Sequence, residues 1–170
     1  TNNAPATFPI GTTTVTWTAT DNAGNSATCN QNVTVTDNEN PTITCAAAVN
    51  INTDSGSCFA TVVLTAPTTS DNCTVASVTN NAPATFPIGT TTVTWTVTDN
   101  AGNTATCTQN VTVTDNENPT ITCAAAVNAS ADAGSCFATV VLTAPATADN
   151  CGVASVTNNA PATFPIGTTT

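Results

Sequence analysis

The sequence predicts an all-β fold built in tandem copies. Three observations carry this. About a quarter of the 170 residues are threonine, a β-branched residue that favours strands. The good helix formers leucine, glutamate, lysine, arginine and methionine are nearly missing. The segment TNNAPATFPIGTTTVTW starts at Thr1 and again at Thr79, and its opening returns at Thr157, which sets a period of 78 residues. Residues 1–78 and 79–156 align without a gap and differ at ten positions, among them Ala19/Val97, Ile51/Ala129, Ser70/Ala148 and Thr74/Gly152.

The elements of one copy follow in order. ITCAAAVNI (Ile43 to Ile51) and CFATVVLTAP (Cys58 to Pro67) are apolar runs that predict a hairpin across TDSGS. SDN turns the chain into CTVASVT, and TFPIG (Thr85 to Gly89) is a short strand closed by a glycine turn. TTTVTWTVT (Thr90 to Thr98) alternates strictly, with Val93, Trp95 and Val97 on one face and threonines on the other, the pattern of a half-buried strand. DNAGN (Asp99 to Asn103) is a turn, and TATCTQNVTVT (Thr104 to Thr114) is the returning strand. DNENP (Asp115 to Pro119) cannot continue a sheet and reads as a linker. About seven short strands in a 78-residue copy predict an immunoglobulin-like sandwich. One complete domain is expected over 37–114, with 1–36 the C-terminal half of a copy and 115–170 the N-terminal part of another. Because Thr170 falls mid-motif, the sequence reads as a window on a longer array. Trp17, Trp95, Phe8, Phe86 and Phe59 sit at apolar-phase positions and are expected in the core.

Composition excludes several functions. Lysine, arginine, histidine, methionine and tyrosine are absent, and the net charge is -10. Nucleic acids and anionic membrane surfaces need a basic footprint, and there is none. Imidazole and amine catalysis are unavailable. No apolar run approaches the roughly 20 residues of a membrane helix. No nucleophile–base pair or phosphate-binding loop is present, so no enzyme is expected.

The pattern CAAAVNI, then GSCFATVVLTAPTTSDNC, then FPIGTTTVTWTVTDNAGNTATCTQNVTVTD resembles the hyalin repeat. The resemblance implies an extracellular, immunoglobulin-like adhesion module, and it covers the whole chain in complete and partial copies. The chain departs from the family at Ala46, where a proline often follows the cysteine.

Four cysteines fall in each period: Cys45, Cys58, Cys73 and Cys107 in the complete copy. Cys29 is equivalent to Cys107, and Cys123, Cys136 and Cys151 repeat the first three. A repeated even count in a small β-domain predicts disulfides and an oxidising compartment. Zinc would need close CxxC pairs, whereas the intervals here are 12, 14 and 33 residues. Three connectivities are open. Cys45–Cys107 is expected because the two residues open the first and last strands near one end of the sandwich, and the resemblance also suggests it. Cys58–Cys73 then follows by remainder, although it requires the TTSDN loop to double back. Cys45–Cys73 is the alternative.

The ten acidic residues lie at strand ends or linkers, and no basic side chain can pair with them. Taken singly, aspartates in TDNAGN and TSDN are turn formers that bond their own backbone. Taken together, sandwich topology should bring Asp37, Glu39, Asp71 and Asp99 to one junction between copies. It should bring Asp115, Glu117 and Asp149 to the next, with Asp54 from the preceding copy. Carboxylates with asparagine and backbone oxygens suit calcium better than magnesium. DNENP also resembles the calcium-binding linker of cadherin repeats. Calcium is therefore the expected cofactor, at the junctions between repeats.

The expected function is mechanical: an extracellular or cell-surface array acting as a stalk, surface fibre or adhesin shaft. Its partners are neighbouring repeats and other copies in a filament that divalent cations bundle. The rival is a module that binds a glycan or protein ligand, but near-identical copies favour the shaft.

Overall fold

The computed structural model describes residues 1–169; Thr170, which falls within the expected N-terminal part of the third copy, lies outside them. The fold is all-β, with immunoglobulin-like sandwich repeats in tandem at the 78-residue period and two disulfides. Among the described residues no helix is long and apolar enough to cross a membrane.

The first copy contributes β1 (Gly11–Thr20) and β2 (Ser26–Val35). The middle copy carries β3 (Thr42–Thr44), β4 (Val49–Asn52), β5 (Phe59–Ala60), β6 (Thr68–Ser70), β7 (Val75–Asn80), β8 (Phe86–Pro87), β9 (Gly89–Asp99) and β10 (Thr104–Thr114). The third copy carries β11 (Thr120–Thr122), β12 (Phe137–Ala138), β13 (Ala146–Ala148) and β14 (Phe164–Pro165). The middle copy therefore has eight strands, one more than the sequence suggests.

The chain forms two compact units, and residues of the middle copy fall in both. Unit 1 holds residues 1–47, 64–82 and 92–110. Within it β1 and β2 form an antiparallel hairpin from Gly11↔Val35 to Thr20↔Ser26, and β3 pairs with β6 through Ile43↔Thr69. β7 runs antiparallel to β9 (Val78↔Val97), with an irregularity between Val75 and Ser77. The alternation read in the sequence is realised here: Val93, Trp95 and Val97 are buried while the intervening threonines are not.

Unit 2 holds residues 48–63, 83–91 and, of the described residues, 111–169. β4 pairs in parallel with the end of β10 (Val111↔Val49), and β5 pairs with β8 (Ala60↔Phe86). Ala60, Phe86, Val111 and Val113 form its core. The third copy repeats the short ladders as β11–β13 and β12–β14.

Two expectations are corrected. No hairpin joins 43–51 to 58–67: β3 pairs with β6, β4 with β10 and β5 with β8. Of the second run only Phe59–Ala60 is strand, and Val63 is 95% exposed. These runs do not alternate, so no single face is fixed toward a core, and their partners are non-local. Trp17 and Phe59 are also not core, being 44% and 39% exposed.

Candidate functional site

Three of the expected carboxylates converge in unit 1. One oxygen each of Asp37, Asp71 and Asp99 lies within 4.8 Å of the others. Each aspartate ends or follows a strand, and each is fixed by the turn it makes. The Oδ1 of Asp37, just beyond β2, accepts the Glu39 N–H at 3.0 Å. Asp71, directly after β6, accepts the Cys73 and Thr74 N–H groups on Oδ2, both at 2.9 Å. Asp99 ends β9 and is 2% exposed. Its Oδ1 accepts the Asn103 N–H and its Oδ2 the Asn103 side-chain amide, both at 2.8 Å. That amide also donates to the Asp37 carbonyl at 3.2 Å, tying linker to turn.

Burial pushes the Asp99 carboxyl upward. The Asn103 side chain and the backbone N–H groups of Asn103, Gly102 and Ala101 outweigh it and hold the group below the ordinary aspartate range. Asp99 is thus an anion in a site with no cation among its side chains. Oδ2 of Asp37 and Oδ1 of Asp71 are buried and accept no hydrogen bond. Buried acceptors are normally satisfied, so these two oxygens fit a cation with an oxygen shell. Glu39 is not gathered with them; it is exposed.

The second expected set is not brought into such a group. In unit 2 these residues bond protein instead. The Oδ1 of Asp115 accepts the Glu117 N–H at 3.0 Å and the Asn150 side-chain amide at 3.3 Å. The Oε1 of Glu117 accepts the Gly56 N–H at 2.8 Å, and Oδ2 of Asp149 accepts the Cys151 N–H at 2.9 Å. Asp54 holds Thr61 through its N–H at 2.9 Å and its hydroxyl at 2.8 Å. Asp21, the first-copy counterpart of Asp99, makes the same turn with Asn25, whose side chain and backbone hold its carboxyl below the ordinary range. The turn therefore forms without the cluster.

Two disulfides form. Cys45–Cys107 spans 5.8 Å between Cα atoms, in unit 1, the pairing expected from strand placement. The other corrects the expected Cys58–Cys73: Cys58 bonds Cys151 in unit 2, across 4.8 Å. Cys151 is the counterpart of Cys73 one period on, so the bond joins one copy to the next. With β5 on β8 rather than in a hairpin, nothing folds Cys58 back on Cys73. Around the bond, the Asn150 amide donates to the Ser57 carbonyl at 2.8 Å and to the Thr53 hydroxyl at 3.4 Å. Sequence reasoning missed this bond because it assigned all four cysteines within one copy. Cys29, Cys73, Cys123 and Cys136 carry no bridge. At Cys73, burial raises the thiol pKa, and the carboxylates of Asp37, Asp71 and Glu39 raise it further.

Thr74 ends the Asp71 turn at φ 129°, the one non-glycine residue with positive φ among those described. The third copy has Gly152 there, at φ 97°. A β-branched residue in that region is strained, and glycine is not. Thr74→Gly is expected to stabilise the protein by about 1 kcal/mol, net of the added chain entropy. Gly152→Thr should do the opposite. Urea midpoints of the two variants check this, and a lowered midpoint for Thr74→Gly would contradict the strain assignment.

No curated protein matches the chain at a significant level. The family model of the HYR domain matches residues 1–35, 36–113 and 114–170. HYR domains are extracellular, adhesion-type modules without catalytic activity. With the 78-residue repeat, the all-β fold and the disulfides, those matches place the whole chain: it belongs to the HYR domain family, as a tandem array of hyalin repeats.

Proposed function

We propose that the chain serves as the shaft of an extracellular stalk or surface fibre, with a calcium ion held by Asp37, Asp71 and Asp99. The observation that supports it best is the Cys58–Cys151 bond. A bond from one copy to the next adds nothing to a single binding module, but it lets a tandem array bear load. The calcium reading rests on two buried carboxylate oxygens without donors beside a third buried carboxylate. The ion would take those oxygens as ligands and offset charge that no side chain offsets.

Pulling the molecule by its ends tests both parts. The bridge spans 93 residues, so reduction should lengthen the unfolded extension by about 320 Å at roughly 3.5 Å per residue. Chelation should lower the first unfolding force of oxidised protein, and Asp71→Ala should abolish that difference. Equal extension with and without reductant would exclude a load-bearing bridge. Saturable binding of one isolated repeat on a glycan array would favour the ligand-binding module instead.

A further inference from the structure

We propose that Asn110 and its first-copy counterpart Asn32 are acceptors for an N-linked oligosaccharide, carried at the same place on the outer sheet face of both copies. This goes beyond the shaft reading and shares with it only the extracellular setting.

Attachment needs an asparagine followed two residues later by serine or threonine. Four such sites occur, at Asn32, Asn72, Asn110 and Asn128. Only Asn32-Val33-Thr34 and Asn110-Val111-Thr112 stand one period apart. The counterpart of Asn72 is Asn150-Cys151-Gly152 and that of Asn128 is Asn50-Ile51-Asn52, and neither keeps the motif.

In a chain this rich in asparagine and threonine the motif alone says little. The fold supplies the discrimination. After attachment the side chain keeps its carbonyl acceptor and one N–H, but Nδ2 carries a bulky, hydrated group. A tolerated acceptor must therefore face solvent and have an Nδ2 that holds nothing together. Asn110 lies on β10 between Gln109, 2% exposed, and Val111, 0% exposed. Successive strand residues point to opposite faces, so Asn110 faces away from the core, and it is exposed. Its Oδ1 accepts the Thr92 hydroxyl at 2.9 Å, and its Nδ2 donates to no group among the described residues. Asn32 repeats this on β2: it is exposed, its Oδ1 accepts the Thr14 hydroxyl at 2.9 Å, and its Nδ2 is unengaged. Attachment at Nδ2 thus leaves the cross-strand bond in place at both positions.

The asparagines whose Nδ2 holds structure together stand outside the motif. Asn103 donates to Asp99 at 2.8 Å and to the Asp37 carbonyl at 3.2 Å. Asn150 donates to the Ser57 carbonyl at 2.8 Å, Asn25 to Asp21 at 2.9 Å and Asn38 to the Thr36 hydroxyl at 3.4 Å. Two residues on from these stand Ala105, Gly152, Ala27 and Asn40, none of which has a hydroxyl.

The donor is an oligosaccharide on a lipid diphosphate, used by a transferase of the exporting membrane. Nδ2 of Asn110 attacks C1 of the first sugar. The N–C1 bond forms as the bond from C1 to the diphosphate oxygen breaks. The diphosphate leaves with that electron pair, and one Nδ2 proton passes to a base of the transferase. Nothing is oxidised or reduced. Transfer precedes folding, because β10 is afterwards held against β9 and cannot bend into a transferase. The fold then decides whether the product is tolerated. It places the glycan on the uncharged threonine face of the hairpin, where no carboxylate repels a neighbouring shaft.

Secretion of the full chain from a glycosylating eukaryotic host tests the assignment, with an established acceptor protein as positive control. Cleavage before aspartate puts Asn32 on peptide 21–36 and Asn110 on peptide 99–114. Amidase release in heavy-oxygen water then converts each glycan carrier to a labelled aspartate. Both peptides should be labelled in the secreted chain. Thr112→Ala removes the motif while keeping Asn110, and should abolish the label on peptide 99–114 alone; Asn110→Gln gives the same loss if that variant fails to fold. Ala105→Thr builds the motif at Asn103, and should lower the yield of secreted chain several-fold. Absence of label on either peptide, with the control labelled, would overturn the proposal. Undiminished secretion of Ala105→Thr labelled at Asn103 would overturn the selection by Nδ2. Unlabelled peptides with Cys58–Cys151 intact would exclude the glycan and leave the shaft reading. Labelled peptides without that bridge would sink the stapled shaft and leave the glycan.

Discussion

Replacing Cys45 and Cys107 together by alanine is expected to cost about 4 kcal/mol, a large share of the stability of a domain this small. The bond spans a separation of 62 residues, and loop-closure entropy assigns about 4 kcal/mol to a crosslink of that length. The core cannot absorb such a loss. The fully buried larger side chains are Phe86, Val93, Val97, Val111, Val113 and the charged Asp99, a short set for a 78-residue copy. The same reasoning gives about 5 kcal/mol for Cys58 and Cys151, at a separation of 93. That second loss should loosen residues 115–169 while β9 and β10 stay protected, because Cys45–Cys107 still holds the middle copy. Urea denaturation gives the midpoints, and amide exchange gives the location. A change below about 1 kcal/mol on removing Cys45–Cys107 would mean that the unfolded chain is already compact there.

What the sequence revealed follows the strength of its alternation. GTTTVTWTVTD and TATCTQNVTVT show a strict period of two around an Asp-Asn-Gly turn, and β9 and β10 begin and end within a residue of the expected bounds. CAAAVNI and CFATVVLTAP carry apolar residues without that period, so their strands and partners could not be read. β4 reaches β10 in parallel and β5 reaches β8, and no local rule encodes such long connections. At the acidic site, Asp37, Asp71 and Asp99 were legible because each ends or follows a strand at the same end of a copy. Glu39 was included only for its place in the linker. Cys58–Cys151 was illegible for another reason. When copies are nearly identical, Cys73 and Cys151 stand in the same local sequence, and only the three-dimensional arrangement of copies decides between them.

The two tryptophans provide an internal comparison. Trp95→Ala is expected to cost about 3–5 kcal/mol, whereas Trp17→Ala should cost about 1 kcal/mol. Both lie in the motif TTTVTWT, and both donate their indole N–H to a glutamine, Trp95 to Gln109 at 3.2 Å and Trp17 to Gln31 at 3.0 Å. Their surroundings differ. Trp95 is 6% exposed between Val93 and Val97, and Gln109, 2% exposed, passes its own amide on to the Ala47 carbonyl at 2.8 Å. Truncating Trp95 opens a cavity and leaves a buried Gln109 oxygen without its donor, two costs that add. Trp17 is 44% exposed, so truncation there removes far less buried surface and leaves Gln31 free to bond water. Trp95→Phe should fall between, because it keeps most of the volume and loses only the donor. Circular dichroism in urea, at protein concentrations that keep the chain monomeric, compares the three variants. Equal losses at the two positions would show that the first-copy hairpin is as well covered in solution as the one in the middle copy.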